Sequence, residues 1–139
     1  MDKYAVHLAV SCPGNPGVGG YATVVSKLIK GGTKHTTNIR LEIRAVVDAL
    51  RAVPEGSCVI IHTDSKFLRD SLDKWIHSWK KNNWKTKSGE TVANVDLYKK
   101  LWPLMEKRTI LVKGAFLANC KDIQRACKEY AIDEALAQK

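Results

Sequence analysis

The chain has 139 residues, of which 45% are hydrophobic and 27% charged, and this composition excludes a disordered or fibrous chain and predicts a single globular domain over residues 1–139. Its 23 basic and 14 acidic side chains give a formal net charge of +9, which favours a polyanionic partner such as nucleic acid. No apolar run is long enough to span a bilayer, and the N-terminal residues lack the form of a signal peptide, so we expect a cytoplasmic protein.

The first quarter of the chain predicts three strands. Residues 4–10 alternate larger side chains (Tyr4, Val6, Leu8 and Val10) with Ala5, His7 and Ala9, and this period of two predicts a strand. Residues 18–28 follow the turn sequence PGNPG and predict a second strand. Gly31 and Gly32 then predict a hairpin turn, with a third strand over residues 33–37.

Helices alternate with buried strands in the rest of the chain. Thr37 or Asn38 is expected to cap a helix that ends at Pro54. Residues 58–63 form an apolar run suited to a strand covered on both faces. Further helices are predicted from Ser65 through residue 76, over residues 95–107 and over residues 121–137, with a last strand over residues 109–113. This order predicts an α/β fold in which a five-stranded mixed sheet is flanked by helices.

One short segment, KWIHSWKKNNWKT over residues 74–86, combines three tryptophans with several lysines and contains no acidic residue. Lysines neutralise phosphates, and tryptophan rings offer flat apolar surface to sugars or bases, so the segment suits a nucleic-acid backbone. The alternative is a helix whose tryptophans belong to the core while its lysines are only solvated. The composition of the segment leaves both interpretations open.

Four blocks of sequence occur in the order and at the spacings of one known family. The blocks are SCPGNPGVGGYA (11–22), HTTNIRLEIRAVVDALRAV (35–53), IIHTDSKFLRDSL (60–72) and KWIHSWKKNNWKTKSGETVANVDLYKKL (74–101). Together they resemble bacterial-type ribonuclease H, whose basic handle would lie at about residues 74–93 here. The resemblance covers residues 4–114 and weakens after them. It implies a ribonuclease H-like fold and a nucleic-acid partner: an RNA–DNA hybrid, double-stranded RNA or double-stranded DNA.

The same resemblance implies a damaged catalytic site. The family hydrolyses phosphodiesters with two divalent ions held by four carboxylates. Glu42 and Asp64 match two of these carboxylates, whereas Ala9 and Cys127 stand at the other two positions, and no histidine follows Gly114. We therefore expect a catalytically degenerate member that needs no cofactor. Magnesium or manganese is expected only if Glu42 and Asp64 keep weak residual metal binding.

The resemblance also implies which residues contact nucleic acid. The matching positions outside the handle are Cys12, Asn15, Thr37, Asn38 and Lys66. Those in the handle are Lys74, Trp75, Lys80, Lys81, Trp84 and Lys85. For Asn15 the alternative is that the residue serves only the backbone geometry of its turn.

Three functions from different classes follow from these observations. The first is a catalytically inactive ribonuclease H-like protein that binds nucleic acid through its handle. The second is an active RNA–DNA hybrid endoribonuclease with a remodelled metal site. The third is a repurposed protein-interaction module, of the kind that viruses carry, with its partner surface on residues 115–130.

Overall fold

A computed structural model describes residues 2–114 and 121–139, and within them one mixed sheet carries helices on both faces. The strands are β1 (Lys3–Ser11), β2 (Gly17–Val24), β3 (Leu28–Thr36), β4 (Cys58–His62) and β5 (Thr109–Lys113). Their order across the sheet is β3-β2-β1-β4-β5. The pairs β1–β2 and β2–β3 are antiparallel, whereas β1–β4 and β4–β5 are parallel. The predicted α/β class and five-stranded mixed sheet are confirmed.

The helices divide between the two faces of the sheet. They are α1 (Asn38–Arg51), α2 (Lys66–Asp70), α3 (Ile76–Lys81), α4 (Val95–Glu106) and α5 (Lys121–Leu136), and a π-helical segment (Ser71–Trp75) joins α2 to α3. Helices α1 and α4 pack together on one face, and α5 crosses β1, β2 and β3 on the other. None of the described helices is long and apolar enough to cross a membrane.

The central strand β1 buries side chains on both of its faces, as the alternation of a strand covered on two sides requires. Val6 and Leu8 are fully buried in the main core with α1 and α4. Ala9 points to the opposite face, where it forms a small cluster with Ala22 and Cys127. Helix α5 therefore sits against the end of β1 through small side chains.

The hairpin turn predicted at Gly31 and Gly32 is wrong, because both glycines lie inside β3 and the turn occupies residues 25–27. A Cβ atom on Gly31 would lie 2.9 Å from the ring of Tyr21 on the paired strand. On Gly32 it would lie 2.9 Å from the carbonyl oxygen of Glu134 in α5. The glycines make room for a ring and a helix, so their role is packing rather than chain reversal.

Both predicted helix starts are confirmed by hydrogen bonds at the caps. The Thr37 hydroxyl accepts from the backbone N–H of Arg40 at 3.2 Å at the start of α1. The Ser65 hydroxyl accepts from the backbone N–H of Leu68 at 3.1 Å at the start of α2. Each cap satisfies a donor that the first helical turn leaves without a partner.

Candidate functional site

A pocket of about 400 Å³ lies where β1 and β4 end. The two strands are parallel, so their C-terminal ends open onto the same edge of the sheet, which is where open α/β sheets place their sites. Their pairing stops at His7 and His62, beyond which the two chains separate. The pocket is lined by Leu8, Ala9, Val10, Asn38, Glu42, Thr63, Asp64, Ser65, Gln124 and Lys128. The tertiary structure thus brings Glu42 and Asp64 to one pocket.

The two carboxylates of the pocket differ in their environments. Glu42 on α1 is partly buried, and its Oε2 accepts a hydrogen bond of 2.8 Å from the Ser65 hydroxyl. Burial raises the pKa of Glu42 above its ordinary value, while the hydrogen bond from Ser65 acts in the opposite direction. Asp64 follows β4 and is exposed to solvent. Solvent therefore screens the charge of Asp64 more than that of Glu42.

Ala9 and Cys127, the residues at the other two carboxylate positions, are buried in the same small apolar cluster. Ala9 is 5% exposed and Cys127 is fully buried, and both belong to the small cluster between β1 and α5. The Cys127 thiol lies 3.9 Å from the carbonyl oxygen of His7. Small buried side chains therefore occupy the two positions to which the resemblance assigns acids.

Helix α5 also supplies two polar side chains that the sequence analysis did not single out. The Gln124 amide nitrogen donates to the carbonyl oxygen of Leu8 at 3.0 Å, and the Lys128 ammonium group donates to the carbonyl oxygen of Val10. On one side of β1 the pairing with β2 extends to Ser11, whereas on the other side the pairing with β4 ends at His7. Beyond His7, side chains of α5 therefore donate hydrogen bonds to the β1 carbonyl groups of Leu8 and Val10. The four-residue spacing of Gln124 and Lys128 around Cys127 is the signal that could have revealed them.

These residues do not fit a pair of divalent ions. Among residues 2–114 and 121–139, no group of three or more His, Cys, Asp or Glu side chains is arranged to hold a metal ion. Magnesium and manganese prefer several oxygen ligands, chiefly carboxylates. The pocket supplies the carboxylates of Glu42 and Asp64 and adds the positive charge of Lys128.

The loop before β2 touches the edge of the pocket. The Asn15 side-chain oxygen accepts from the backbone N–H of Asn38 at 3.0 Å, and Asn15 has a φ of +28°, which asparagine tolerates better than most residues. Asn15 therefore has a structural task in its turn, whereas Asn38 lines the pocket. Cys12 is 5% exposed, and its thiol lies 3.4 Å from the carbonyl oxygen of Thr36, so its side chain faces the interior.

Lys66 does not reach the pocket. Its ammonium group pairs with Asp70 at 2.7 Å, one helical turn away, and the Lys66 side chain is 81% exposed. Lys128 on α5, and not Lys66, is the lysine that lines the pocket. The nucleic-acid contact assigned to Lys66 stays a prediction.

The tryptophans and lysines of the handle have separate tasks. Trp79 and Trp84 pack against the main core, and the Trp79 ring lies 5.1 Å from that of Tyr98. Their backbones are joined by a hydrogen bond of 2.7 Å from Trp84 N–H to the Trp79 carbonyl. The lysines of this segment, Lys74, Lys80, Lys81 and Lys85, are exposed. Trp79 and Trp84 therefore follow the core interpretation, and nucleic-acid binding by the exposed lysines stays a prediction.

A groove of about 660 Å³ runs along the handle. Trp75 lines it and contacts two other rings, with its centroid 5.2 Å from that of Phe67 and 6.0 Å from that of Trp79. The lining residues are Trp75, Ser78, Trp79, Asn82, Lys85, Thr86 and Lys87. This combination of rings, amides and ammonium groups suits a sugar–phosphate chain.

The predicted protein-contact segment, residues 115–130, is described only in part. Residues 115–120 lie outside the described residues. Residues 121–130 belong to α5, and within them Cys127 is buried against the sheet while Ile123 and Tyr130 are each 41% exposed. A protein partner on this surface stays a prediction.

Comparison with known proteins decides the family. The family model for RNase H matches residues 2–114. The chain belongs to the ribonuclease H family. Among its relatives, ribonuclease H of Rickettsia typhi is 43% identical over 123 residues, which cover 82% of this chain and 81% of that protein. The family match contains Glu42, Asp64 and the handle, and it ends before α5.

Solved structures of ribonucleases H share the fold. LC9-RNase H1, described as a type 1 RNase H with the type 2 active-site motif, superposes with a TM-score of 0.78 at 21% identity, covering 100% of this chain and 74% of that chain. LC11-RNase H1, solved in complex with an RNA/DNA hybrid, gives a TM-score of 0.67 at 17% identity, covering 96% of this chain and 99% of that chain. At sequence identities of 21% and 17%, these structures support the fold of this ribonuclease H family member.

Proposed function

We propose that this ribonuclease H family member binds RNA–DNA hybrids through its handle and its pocket without cleaving them. The observation that carries the proposal is the set of side chains in the pocket. Glu42 and Asp64 share it with the Lys128 ammonium group, and Ala9 and Cys127, at the two remaining carboxylate positions, are buried in one small apolar cluster.

The absence of cleavage follows from the charge of this set. Hydrolysis by two metal ions requires both ions to be held about 4 Å apart, where their mutual repulsion must be offset by surrounding carboxylates. The two negative charges of Glu42 and Asp64 are partly offset by Lys128. Burial also disfavours the ionised form of Glu42. The pocket therefore lacks the negative charge that two divalent ions need.

Binding is supported by the exposed lysines of the handle and by the fold shared with a protein that was solved in complex with a hybrid. Lys80, Lys81 and Lys85 are exposed beside a groove lined with tryptophan. Each lysine that neutralises a phosphate releases condensed counterions, which is the main source of affinity for a duplex. LC11-RNase H1, which shares the fold, was solved in complex with an RNA/DNA hybrid. A hybrid is therefore the first ligand to test.

A cleavage assay tests the catalytic half of the proposal. A labelled RNA–DNA hybrid is incubated with the protein and magnesium or manganese, with the Rickettsia typhi relative as the positive control. We expect intact hybrid with this protein. Cleavage that Asp64→Asn abolishes would instead establish an active endonuclease with a remodelled metal site.

A salt titration of hybrid affinity tests the binding half. Replacing Lys80, Lys81 and Lys85 together with alanine should lower the slope of log K against log salt by up to about 2.7, since each phosphate contact contributes about 0.9. The control replaces Lys3, Lys27 and Lys107 with alanine. These lysines are exposed at the edge of the sheet opposite to the pocket, near the start of β1, the end of β2 and the start of β5. Binding that ignores salt, or an equal loss in both variants, contradicts the proposal.

A further inference from the structure

We infer that Lys128 contacts a backbone phosphate of the nucleic acid at the pocket between β1, β4 and α5, so that binding there needs no divalent cation. The inference rests on the proposed function and deepens it, because it names the group that meets the ligand at this pocket. It arises from the mismatch between the side chains present and a pair of metal ions.

The position of Lys128 carries the first step. Its ammonium group is anchored on the carbonyl oxygen of Val10, directly after Ala9 and beyond the end of the β1–β4 pairing. An ammonium group has three N–H donors, and this anchor uses one of them. Lys128 is exposed and lines the pocket, so the other donors can reach a ligand. A fixed positive charge thus lies where the strand opens to solvent.

The neighbouring side chains favour an oxygen-rich ligand. Gln124 is held one turn away on α5 by its hydrogen bond to Leu8, and Asn38 lines the same pocket. A pocket of about 400 Å³ admits a phosphate group.

The two carboxylates of the pocket repel a phosphate electrostatically, but the environment of each carboxylate weakens this repulsion. Burial shifts Glu42 towards its neutral form, and its Oε2 already accepts from Ser65. Asp64 is exposed, where solvent and salt screen its charge. Lys128 is the lysine that lines the pocket, and a lysine ammonium contributes to phosphate binding as a point charge. The balance therefore favours contact through Lys128.

The pocket is also continuous with the handle along the chain. Ser65 lines the pocket and caps α2, which leads through the π-helical segment to Trp75 and the handle groove. One stretch of chain therefore forms an edge of the pocket and leads directly to the handle groove. Lys128 extends the predicted contact surface from the handle to α5.

The experiment measures the affinity for a labelled RNA–DNA hybrid at several salt concentrations, with excess chelator or with magnesium at matched ionic strength. Wild-type protein should bind equally in both. Lys128→Met should lower the slope of log K against log salt by about 0.9 and the affinity about eightfold at 0.1 M salt, which is the loss of one phosphate contact. Lys128→Arg keeps the charge and should restore both values. Lys27→Met, in the exposed turn after β2 at the other end of the sheet, should change neither.

Three results overturn the inference. The first is a Lys128→Met protein with the affinity and slope of Lys27→Met, even if its thermal stability falls, because Lys128 would then only hold the end of β1. The second is wild-type binding that requires magnesium. The third is a wild-type protein that binds no hybrid under either condition, and this result alone also removes the proposed function.

Discussion

The hydroxyl of Ser65 joins two helices at the pocket, because it donates to Glu42 Oε2 at 2.8 Å on α1 and accepts from the Leu68 N–H at 3.1 Å on α2. A hydroxyl can donate once and still accept, so one side chain serves both as a helix cap and as the partner of a partly buried carboxylate. The sequence predicted the cap. The bond to Glu42 depends on the approach of α1, which lies 23 positions earlier in the chain.

Ser65→Ala should destabilise the fold by about 1–2 kcal/mol, since it removes an N-cap worth about 1 kcal/mol and leaves Glu42 without its donor. Urea unfolding at neutral pH measures the change. Ser26→Ala is the matched control, because Ser26 is exposed in the turn between β2 and β3. Equal stabilities for the two variants would show that the shared hydroxyl contributes nothing.

Glu42→Gln should stabilise the protein at neutral pH. Burial raises the pKa of Glu42 in the folded state above its ordinary value of 4.5, so the folded protein holds this proton more tightly than the unfolded chain. The contribution of this bound proton to folding stability is complete below pH 4.5, and it is lost as the pH rises through the pKa of Glu42 in the folded state. The advantage of the glutamine variant should therefore shrink as the pH falls towards 4.5.

Thermal unfolding across this pH range provides the measurement for Glu42→Gln. Glu90→Gln serves as the control, since Glu90 is exposed in the handle loop. A glutamine variant that is less stable than wild type at neutral pH would mean that the ionised carboxylate, with its bond from Ser65, is favourable where it lies.

Trp79→Ala should destabilise the fold by about 2 kcal/mol, which is below the roughly 3–5 kcal/mol of a fully buried tryptophan because Trp79 is partly exposed. The lost contacts are those with the main core and with the Tyr98 ring. Lys80→Ala, at the next position, should leave stability nearly unchanged while lowering hybrid affinity. Denaturant unfolding of both variants compares them directly, and similar stability losses would refute the division of tasks in the handle.

Ala9→Asp combined with Cys127→Asp should create a metal requirement for stability. Both positions are buried and Ala9 lines the pocket with Glu42 and Asp64, so two added carboxylates should lower stability by several kcal/mol in the presence of a chelator. Magnesium should raise the unfolding temperature of this double variant and not that of wild type. The matching double asparagine variant lacks the charges and should not respond to magnesium. A wild-type protein stabilised by magnesium would contradict our description of the pocket.

Much of the fold was predictable because its signals are local. The alternation along β1 and the caps at Thr37 and Ser65 depend on residues within a few positions of one another. The turn at Gly31 and Gly32 was mispredicted because glycine between strand-like segments usually marks a reversal. Here the requirement for glycine comes from Tyr21 on the next strand and from α5, more than 100 residues away in the case of Gly32.

The sequence by itself determined which chemical groups the protein contains: the lysines of its handle, the carboxylates of Glu42 and Asp64, and small residues at positions 9 and 127. Only the tertiary structure decided that Lys128 rather than Lys66 stands in the pocket. The physical reason is distance along the chain. Lys66 finds Asp70 within one helical turn, whereas Lys128 meets Val10 across 118 positions, and that meeting depends on how the completed sheet docks α5.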